Sequence, residues 1–391
     1  MKYTYYILLI FIAFACSNDK NVLQKAEQIS QKVGNDFAPD SREAIYTTNF
    51  TVATNGNLVV SGETSLPKAK LALFSNLEGL KIHLVDSLVV LPAKKMGDKV
   101  WGLINLSVVN LRSHPKHSAE LVSQAIMGTP VKVLNQKGSW YQVQTPDKYI
   151  AWVDQAAVNL RNKTEMDLWR NSKRIVFLPD FKIARGEDGK QTVTDLVAGS
   201  ILQVEKEEKT FYKLILPDLR KVKVEKSFCK DFDLWKSTQI EDAAILTATA
   251  REFMGRPYLW GGTSSKGVDC SGFVKSVYFM NGIILARDAS LQFLHGDTIS
   301  PEQGFTKLVE GDLVFFGRKA SENKTQKVTH VGMYIKDGEF IHSSGRVKLN
   351  SFDPKAENYS DYRTVSWLGG RRVLTRIGEE GMIKVSEHPW Y

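Results

Sequence analysis

Cysteine is scarce: three occur in 391 residues (Cys16, Cys229 and Cys270), and no two form a Cys-x-x-Cys pair. That is too few for a disulfide framework and argues against a cysteine-rich zinc site, so no metal is expected. Charge of one sign is never concentrated. Lys and Arg number 52 against 43 Asp and Glu, a formal +9, yet no run exceeds two adjacent basic residues. A nucleic-acid surface needs a denser patch, so no nucleic-acid partner is expected. Gly261-Gly262 lacks the Lys-Ser/Thr that completes a phosphate loop, and no cofactor is expected. An apolar fraction of 43% with 24% charged residues excludes both a mainly disordered chain and a polytopic membrane protein. The length implies about two to four domains.

The amino terminus reads as an address. Lys2 precedes an apolar run over 5–15, long enough for a signal-peptide core and too short to span a bilayer. The run ends Ala13-Phe14-Ala15-Cys16 and gives way to polar Ser17-Asn18-Asp19-Lys20. This resembles the lipobox of bacterial lipoproteins, which implies acylation of Cys16 and a mature chain anchored to a membrane of the cell envelope. A secretory signal cleaved near Ala15 is the alternative. Either places the mature chain outside the cytoplasm.

Two stretches align at an offset of 71 residues: Gly128 with Gly199, Trp140 with Phe211, Tyr141 with Tyr212, Pro146-Asp147 with Pro217-Asp218. Each alternates apolar and polar residues over short runs such as Tyr141-Gln142-Val143, the period-two pattern of half-buried strands, with turn residues between. Short strands of this kind suggest small antiparallel barrels. The first copy resembles a bacterial Src-homology-three barrel; the second is more diverged. The expected organisation is a signal segment (1–16), a mixed α/β region (17–95) with a strand pattern over 51–61, two barrels (96–162 and 163–235) and a last domain (236–391). A linker is expected over 231–239.

In the last domain, helices are expected over 240–255 and 271–281, then strands over 313–316, 330–335, 339–343 and 368–375, an α+β arrangement. Asp269 is a good N-cap, and Phe273, Val274, Val277 and Tyr278 form an apolar stripe at helical spacing, which places Cys270 in the first turn. Helix-terminal amides favour a thiolate there, while Asp269 opposes it. A cation is therefore needed, and histidine is the obvious supplier. His330 and His342 lie in adjacent expected strands, so one can act as base and the other can fix its tautomer. A two-residue loop at Asp337-Gly338 would set the imidazoles on opposite faces. A shared face requires a three-residue loop, 337–339, or a bulge. Cys229 reads as structural.

The series Gly255-Arg256-Pro257-Tyr258-Leu259-Trp260-Gly261-Gly262, then Asp269-Cys270-Ser271-Gly272-Phe273-Val274, then His330-Val331-Gly332-Met333-Tyr334 and Phe340-Ile341-His342, closely resembles the NlpC family of cell-wall cysteine peptidases. The resemblance implies a papain-like fold, with Cys270 as nucleophile, His330 as base and His342 as the orienting third group. It implies cleavage of peptidoglycan stem peptides between γ-linked D-Glu and the diamino acid. The Cys270 amide and the Tyr258 hydroxyl are the expected oxyanion donors; Ser271 would meet the D-Glu α-carboxylate and Asp269 would shape the turn. With two barrels in front, the chain resembles the γ-D-glutamyl-L-diamino acid endopeptidases that act on released peptides. In these, acidic groups and a tyrosine hold the free amine of L-Ala, here Glu120, Asp288 and Tyr149. The expected activity is release of L-Ala-γ-D-Glu by a monomer. Hydrolysis of intact wall, and wall binding without catalysis, are the alternatives.

Overall fold

The computed structural model describes residues 4–237 and 242–391, with side chains from Asp19 onward. The expected acylation site, Cys16, lies outside the described side chains. The chain divides into two compact units, one ending at Gly97 and the other beginning at Asp98.

In the first unit, helices Thr4–Phe37 and Pro67–Leu77 accompany a three-stranded sheet. Tyr46–Val52 and Leu58–Thr64 are antiparallel, and Leu58–Thr64 also runs parallel to Leu84–Val90. A parallel neighbour needs a crossover, which helix Pro67–Leu77 provides. Pro67 begins that helix, where a missing N–H costs nothing. Ala69, Leu73 and Leu77, one face of the helix, are fully buried in a cluster with Leu58 and Val60. The expected strand over 51–61 is corrected: it straddles the turn between two strands, where Gly56 takes a φ of +82°. Among the described residues no helix is long and apolar enough to cross a membrane.

The second unit opens with the repeat. Strands Trp101–Ile104, Val108–Arg112, Leu121–Ile126, Pro130–Lys137, Trp140–Gln144, Ile150–Asp154 and Val158–Arg161 form one antiparallel sheet. Arg174–Phe177, Phe181–Arg185, Thr192–Val197, Ile201–Glu207, Phe211–Ile215, Lys221–Glu225 and Cys229–Asp231 form another. Numbered within each copy, both sheets run in the order 7-1-4-5-6-2-3. The second copy has diverged in sequence and kept the topology, because alternation and turn positions set the register while side-chain identities can drift.

The helix between the barrels, Lys163–Asn171, was not anticipated. Its start carries a reciprocal capping box: Asn162 Oδ1 accepts from the Glu165 amide at 2.9 Å, and Glu165 accepts from the Asn162 amide at 2.8 Å. The expected linker over 231–239 is also corrected. Phe232–Lys236 is helical, and its Phe232 and Trp235 are buried with Leu103, Trp169, Val176, Ile201 and Ile284. This cluster draws on both barrels and the last domain, so the three are packed as one body. Arg174 lies between the rings of Trp169 and Phe232, at 4.4 and 4.1 Å. The expected helix over 240–255 is observed as Ala243–Glu252; residues 238–241 lie outside the described residues.

The last domain holds a six-stranded antiparallel sheet. Its order is Asp297–Ile299, Trp367–Arg372, Leu313–Arg318, Lys327–Tyr334, Glu339–Ser344, Arg346–Ser351. The first and last of these were not anticipated, and the strand expected over 368–375 ends at Arg372. Helix Cys270–Met280 packs on the sheet through Phe273, Val274, Val277 and Tyr278, all fully buried, against Phe315, Val331, Met333 and Ile341. Burying each such side chain stabilises the fold by about 1.5–3 kcal/mol, which anchors the helix that starts at the nucleophile.

The hairpin carrying the two histidines has a three-residue loop one position earlier than expected, 336–338 instead of 337–339. Ile335 donates to the Glu339 carbonyl at 2.8 Å, and Met333 pairs with Ile341. Asp337 and Gly338 turn the chain with φ of +51° and +82°. This register sets His342 beside Gly332, where an added Cβ would stand 3.0 Å from the His342 Cβ. His330 and His342 therefore share one face, with glycine leaving room between them.

Candidate active site

Cys270 is the first residue of its helix and is 8% exposed. Asp269 caps the helix: its Oδ1 accepts from the Gly272 amide at 2.6 Å. Burial, and then the charge of Asp269, push the Cys270 thiol up to about 11. Hydrogen bonds from the Val331 and Ser271 amides, and the charge of Arg287, act the other way. The Val331 contact lays the strand that carries His330 against the sulfur.

A buried cation that was not expected, Arg287, acts on Cys270 besides the histidines. Arg287 is buried, 1% exposed, and grips Asp269 with both ends of its fork: Nη2 to Oδ2 at 2.5 Å and Nη1 to Oδ1 at 3.2 Å. Its Nη1 also donates to Ser271 Oγ at 3.0 Å, and Ser271 Oγ donates to Asp269 Oδ1 at 3.2 Å. The Ser271 hydroxyl is thus committed on both sides, and a carboxylate could accept its proton only by displacing Asp269. Asp269 Oδ2 also accepts from the Gly261 amide at 3.0 Å, tying the Tyr258–Gly262 segment to the nucleophile helix.

His330 Nε2 lies 2.7 Å from His342 Nδ1, and His342 Nε2 lies 2.8 Å from Asn350 Oδ1. Asn350 Nδ2 donates to the Asn358 carbonyl at 2.7 Å, which orients its amide and assigns the protons. Asn350 Oδ1 must accept from His342 Nε2–H, His342 Nδ1 must accept from His330 Nε2–H, and His330 Nδ1 is left with its lone pair. Both rings are neutral. Burial, followed by the Arg363 charge, holds His330 well below the usual imidazole range. Burial brings His342 down to about 3 against a smaller opposing effect of Asn350. The resting pair is therefore thiol and imidazole.

Tyr258 is half-buried beside the strand that leads to Cys270, its amide donating to the Gly345 carbonyl at 3.0 Å. Burial and the charges of Cys270 and Asp269 push its hydroxyl up to about 12, so it stays a proton donor.

The first barrel reaches this same segment. Trp260 Nε1 donates to Glu120 Oε1 at 2.9 Å, Arg287 Nε donates to Ser123 Oγ at 3.0 Å, and Gln124 Oε1 accepts from the Thr263 amide at 3.1 Å. Tyr149 is buried and Asp288 lies 3.9 Å from Arg287; both act electrostatically on that guanidinium. Asp288 stands at the start of helix Ala289–Gln292, yet its carboxylate does not cap it. Glu120 on Trp260, and Tyr149 and Asp288 at Arg287, thus flank the junction where the first barrel meets the nucleophile segment. Among the described residues no group of three or more His, Cys, Asp or Glu could hold a metal ion.

Four residues of the site escaped sequence reading: Arg287, Asn350, Trp260 and Arg363. Arg287 stood next to a candidate, but a buried arginine carries no periodic signature. Asn350 lies on the unanticipated edge strand Arg346–Ser351.

The NlpC/P60 family matches residues 255–368, and the bacterial SH3 domain family matches 107–159. The chain is 30% identical over 232 residues to a γ-D-glutamyl-L-lysine dipeptidyl-peptidase of Bacillus cereus, covering 57% of this chain and 67% of that protein. It is 27% identical over 263 residues to dipeptidyl-peptidase 6 of Lysinibacillus sphaericus, covering 64% of this chain and 92% of that one. Among solved structures, an NlpC/P60 family protein from Bacillus cereus superposes with a TM-score of 0.60 at 24% identity, covering 70% of this chain and 99% of that one, which shows the shared fold. Similarity of this extent, over more than half the chain and two thirds of a relative, makes the protein a member of the NlpC/P60 family and its chemistry that of a cysteine peptidase.

Proposed function

We propose that the protein hydrolyses the γ-D-glutamyl–diamino acid bond of released peptidoglycan stem peptides whose L-Ala amine is free, yielding L-Ala-γ-D-Glu. The observation that carries this reading is the junction of Glu120, Tyr149 and Asp288, contributed by two domains, next to the segment bonded to Asp269. An ammonium entering a closed site needs opposite charge and acceptors, and this junction offers both. The names of the two relatives from Bacillus cereus and Lysinibacillus sphaericus support the same class of substrate.

The mechanism is acyl transfer. As Sγ attacks the γ-carbonyl carbon, the Cys270 proton passes to His330 Nδ1, the ring nitrogen left with a lone pair by the His342 bond. The carbonyl oxygen takes up negative charge opposite the Cys270 amide and the Tyr258 hydroxyl. Collapse breaks the C–N bond, and His330 gives its proton to the departing amine. A water molecule then loses a proton to His330 and attacks the thioester, and the sulfur leaves with that proton. Throughout, His342 holds Nε2 of His330 and prevents the ring from presenting its protonated nitrogen to the thiol.

Replacing one partner of a charge-assisted contact costs about 1.5–3 kcal/mol, so Glu120→Gln and Asp288→Asn should each lower kcat/KM on the free tripeptide about ten- to a hundredfold. An unchanged kcat/KM in both variants would remove the amine site. We further place the mature protein in the cell envelope, anchored through acylated Cys16. Metabolic labelling with a fatty acid should mark the wild type and miss Cys16→Ala; label on both would contradict the anchor.

A further inference from the structure

Arg363, on the short helix Asp361–Val365, has no role in the chemistry above, yet it stands beside it. Its guanidinium lies 5.4 Å from the centre of the Phe316 ring, and Phe316 lies 5.8 Å from the His330 ring. Among the described residues its guanidinium makes one hydrogen bond, a long one, Nη2 to Ser344 Oγ at 3.5 Å, and it lies 5.2 Å from the Tyr362 ring. Among the described residues no carboxylate pairs with it, although it is half-buried. A desolvated guanidinium without a counter-charge is costly to keep, and its fork geometry matches a carboxylate.

Two arginines act on both Cys270 and Tyr258, and each has further neighbours of its own. Arg287 belongs to the barrel side, where it bonds Asp269, Ser271 and Ser123. Arg363 belongs to the histidine side, where its charge acts on His330 and His342. The departing amine must lie on the histidine side, because His330 protonates it. The residue that carries that amine, the diamino acid, leaves on the side where Arg363 stands beside His330.

We infer that Arg363 is a specificity-determining residue that binds a carboxylate of the leaving diamino acid. The inference rests on the γ-glutamyl reading above and deepens it. Two sources share this chemistry: the α-carboxylate of a diamino acid at the end of a tripeptide, and the side-chain carboxylate of diaminopimelate. Lysine has the first only; an amidated lysine has neither.

The test uses the full chain and four substrates, L-Ala-γ-D-Glu followed by lysine or diaminopimelate, each with a free or amidated α-carboxyl. For the wild type, kcat/KM should be at least about tenfold higher on substrates that keep the responsible carboxylate, mainly through KM. In Arg363→Gln that ratio should collapse towards one, and Arg363→Lys should restore part of it. A ratio between substrates does not depend on the fraction of folded enzyme, so a merely structural loss cannot mimic the result. If preference follows amidation, the α-carboxylate is the ligand; if it follows diaminopimelate over lysine, the side-chain carboxylate is. A wild type indifferent to all four, or a ratio unchanged in Arg363→Gln, overturns the inference. Absence of cleavage on all four, equal to the Cys270→Ala blank, overturns instead the γ-glutamyl reading on which it rests. Cleavage that is lost only on N-acetylation leaves that reading intact whatever Arg363 does.

Discussion

At the scale of single residues, the site is held by ionisable groups in states that burial dictates. Arg287 and Asp269 are both buried and joined by two contacts, so removing one leaves an uncompensated charge inside the protein. Arg287→Met should therefore destabilise the fold by about 3–5 kcal/mol, readable as a fall in the urea midpoint. The histidines set a pH dependence with a definite sign. An unfolded imidazole titrates near 6.5, while His342 in the fold titrates at about 3. Between these values the unfolded chain takes up a proton that the folded chain refuses, so stability falls as pH drops from 6.5 towards 3. Above 6.5 the contribution is flat. His342→Gln should make the acid slope shallower in denaturation measured at successive pH values. A carboxylate beside His342 acts in the opposite direction: Asn350→Asp favours the protonated rings and should move the acid limb of kcat/KM towards neutral pH. A limb that stays in place would remove Asn350 from the histidine chain.

At the scale of elements, the hairpin register does the positioning. His330 and His342 meet because the loop holds three residues, 336–338, and side chains alternate along each strand. Deleting one loop residue should move His342 to the opposite face and cut kcat by at least about a hundredfold. Secondary-structure content measured by circular dichroism should change little. That a three-residue loop was required followed from parity alone; which three residues did not. The turn slid back to place Asp337 and Gly338 in left-handed conformations, a choice made by local backbone geometry. The nucleophile helix was legible from its cap and its stripe of Phe273, Val274, Val277 and Tyr278, both periodic signals. Strand Arg346–Ser351 was not, because its alternation rests on two apolar residues alone, Val347 and Leu349, of which only Val347 is buried. Asn350 went unseen with it, which is why the last partner of the histidine chain came only from the structure. The hairpin inside the first unit was merged into one strand over 51–61 although Asn55-Gly56 is an overt turn signal between its two strands.

At the scale of the whole molecule, two barrels and a catalytic domain are packed as one body around Phe232, Trp235 and Arg174. The first barrel can therefore hold Glu120 at a fixed place beside Trp260, and the buried Asp147 of that barrel pairs with Lys275 on the nucleophile helix at 2.8 Å. Residues up to Gly97 form a compact unit with their own core. A chain starting at Asp98 should retain kcat/KM within about threefold of the full protein, since both barrels and the catalytic domain keep their shared core. The repeat behind this body was visible as the 71-residue offset, while a part for the first barrel in the site came only from the family resemblance, because contacts between domains leave no period in a sequence.

The most direct measurement is mass spectrometry of the purified protein with two substrates side by side: free L-Ala-γ-D-Glu-diaminopimelate, and the same peptide with its alanine N-acylated by a muramyl group. Cys270→Ala serves as the blank. The account predicts that only the free peptide yields L-Ala-γ-D-Glu. Equal cleavage of both would contradict it, dismissing the amine site of Glu120, Tyr149 and Asp288 and pointing to a hydrolase of the intact wall.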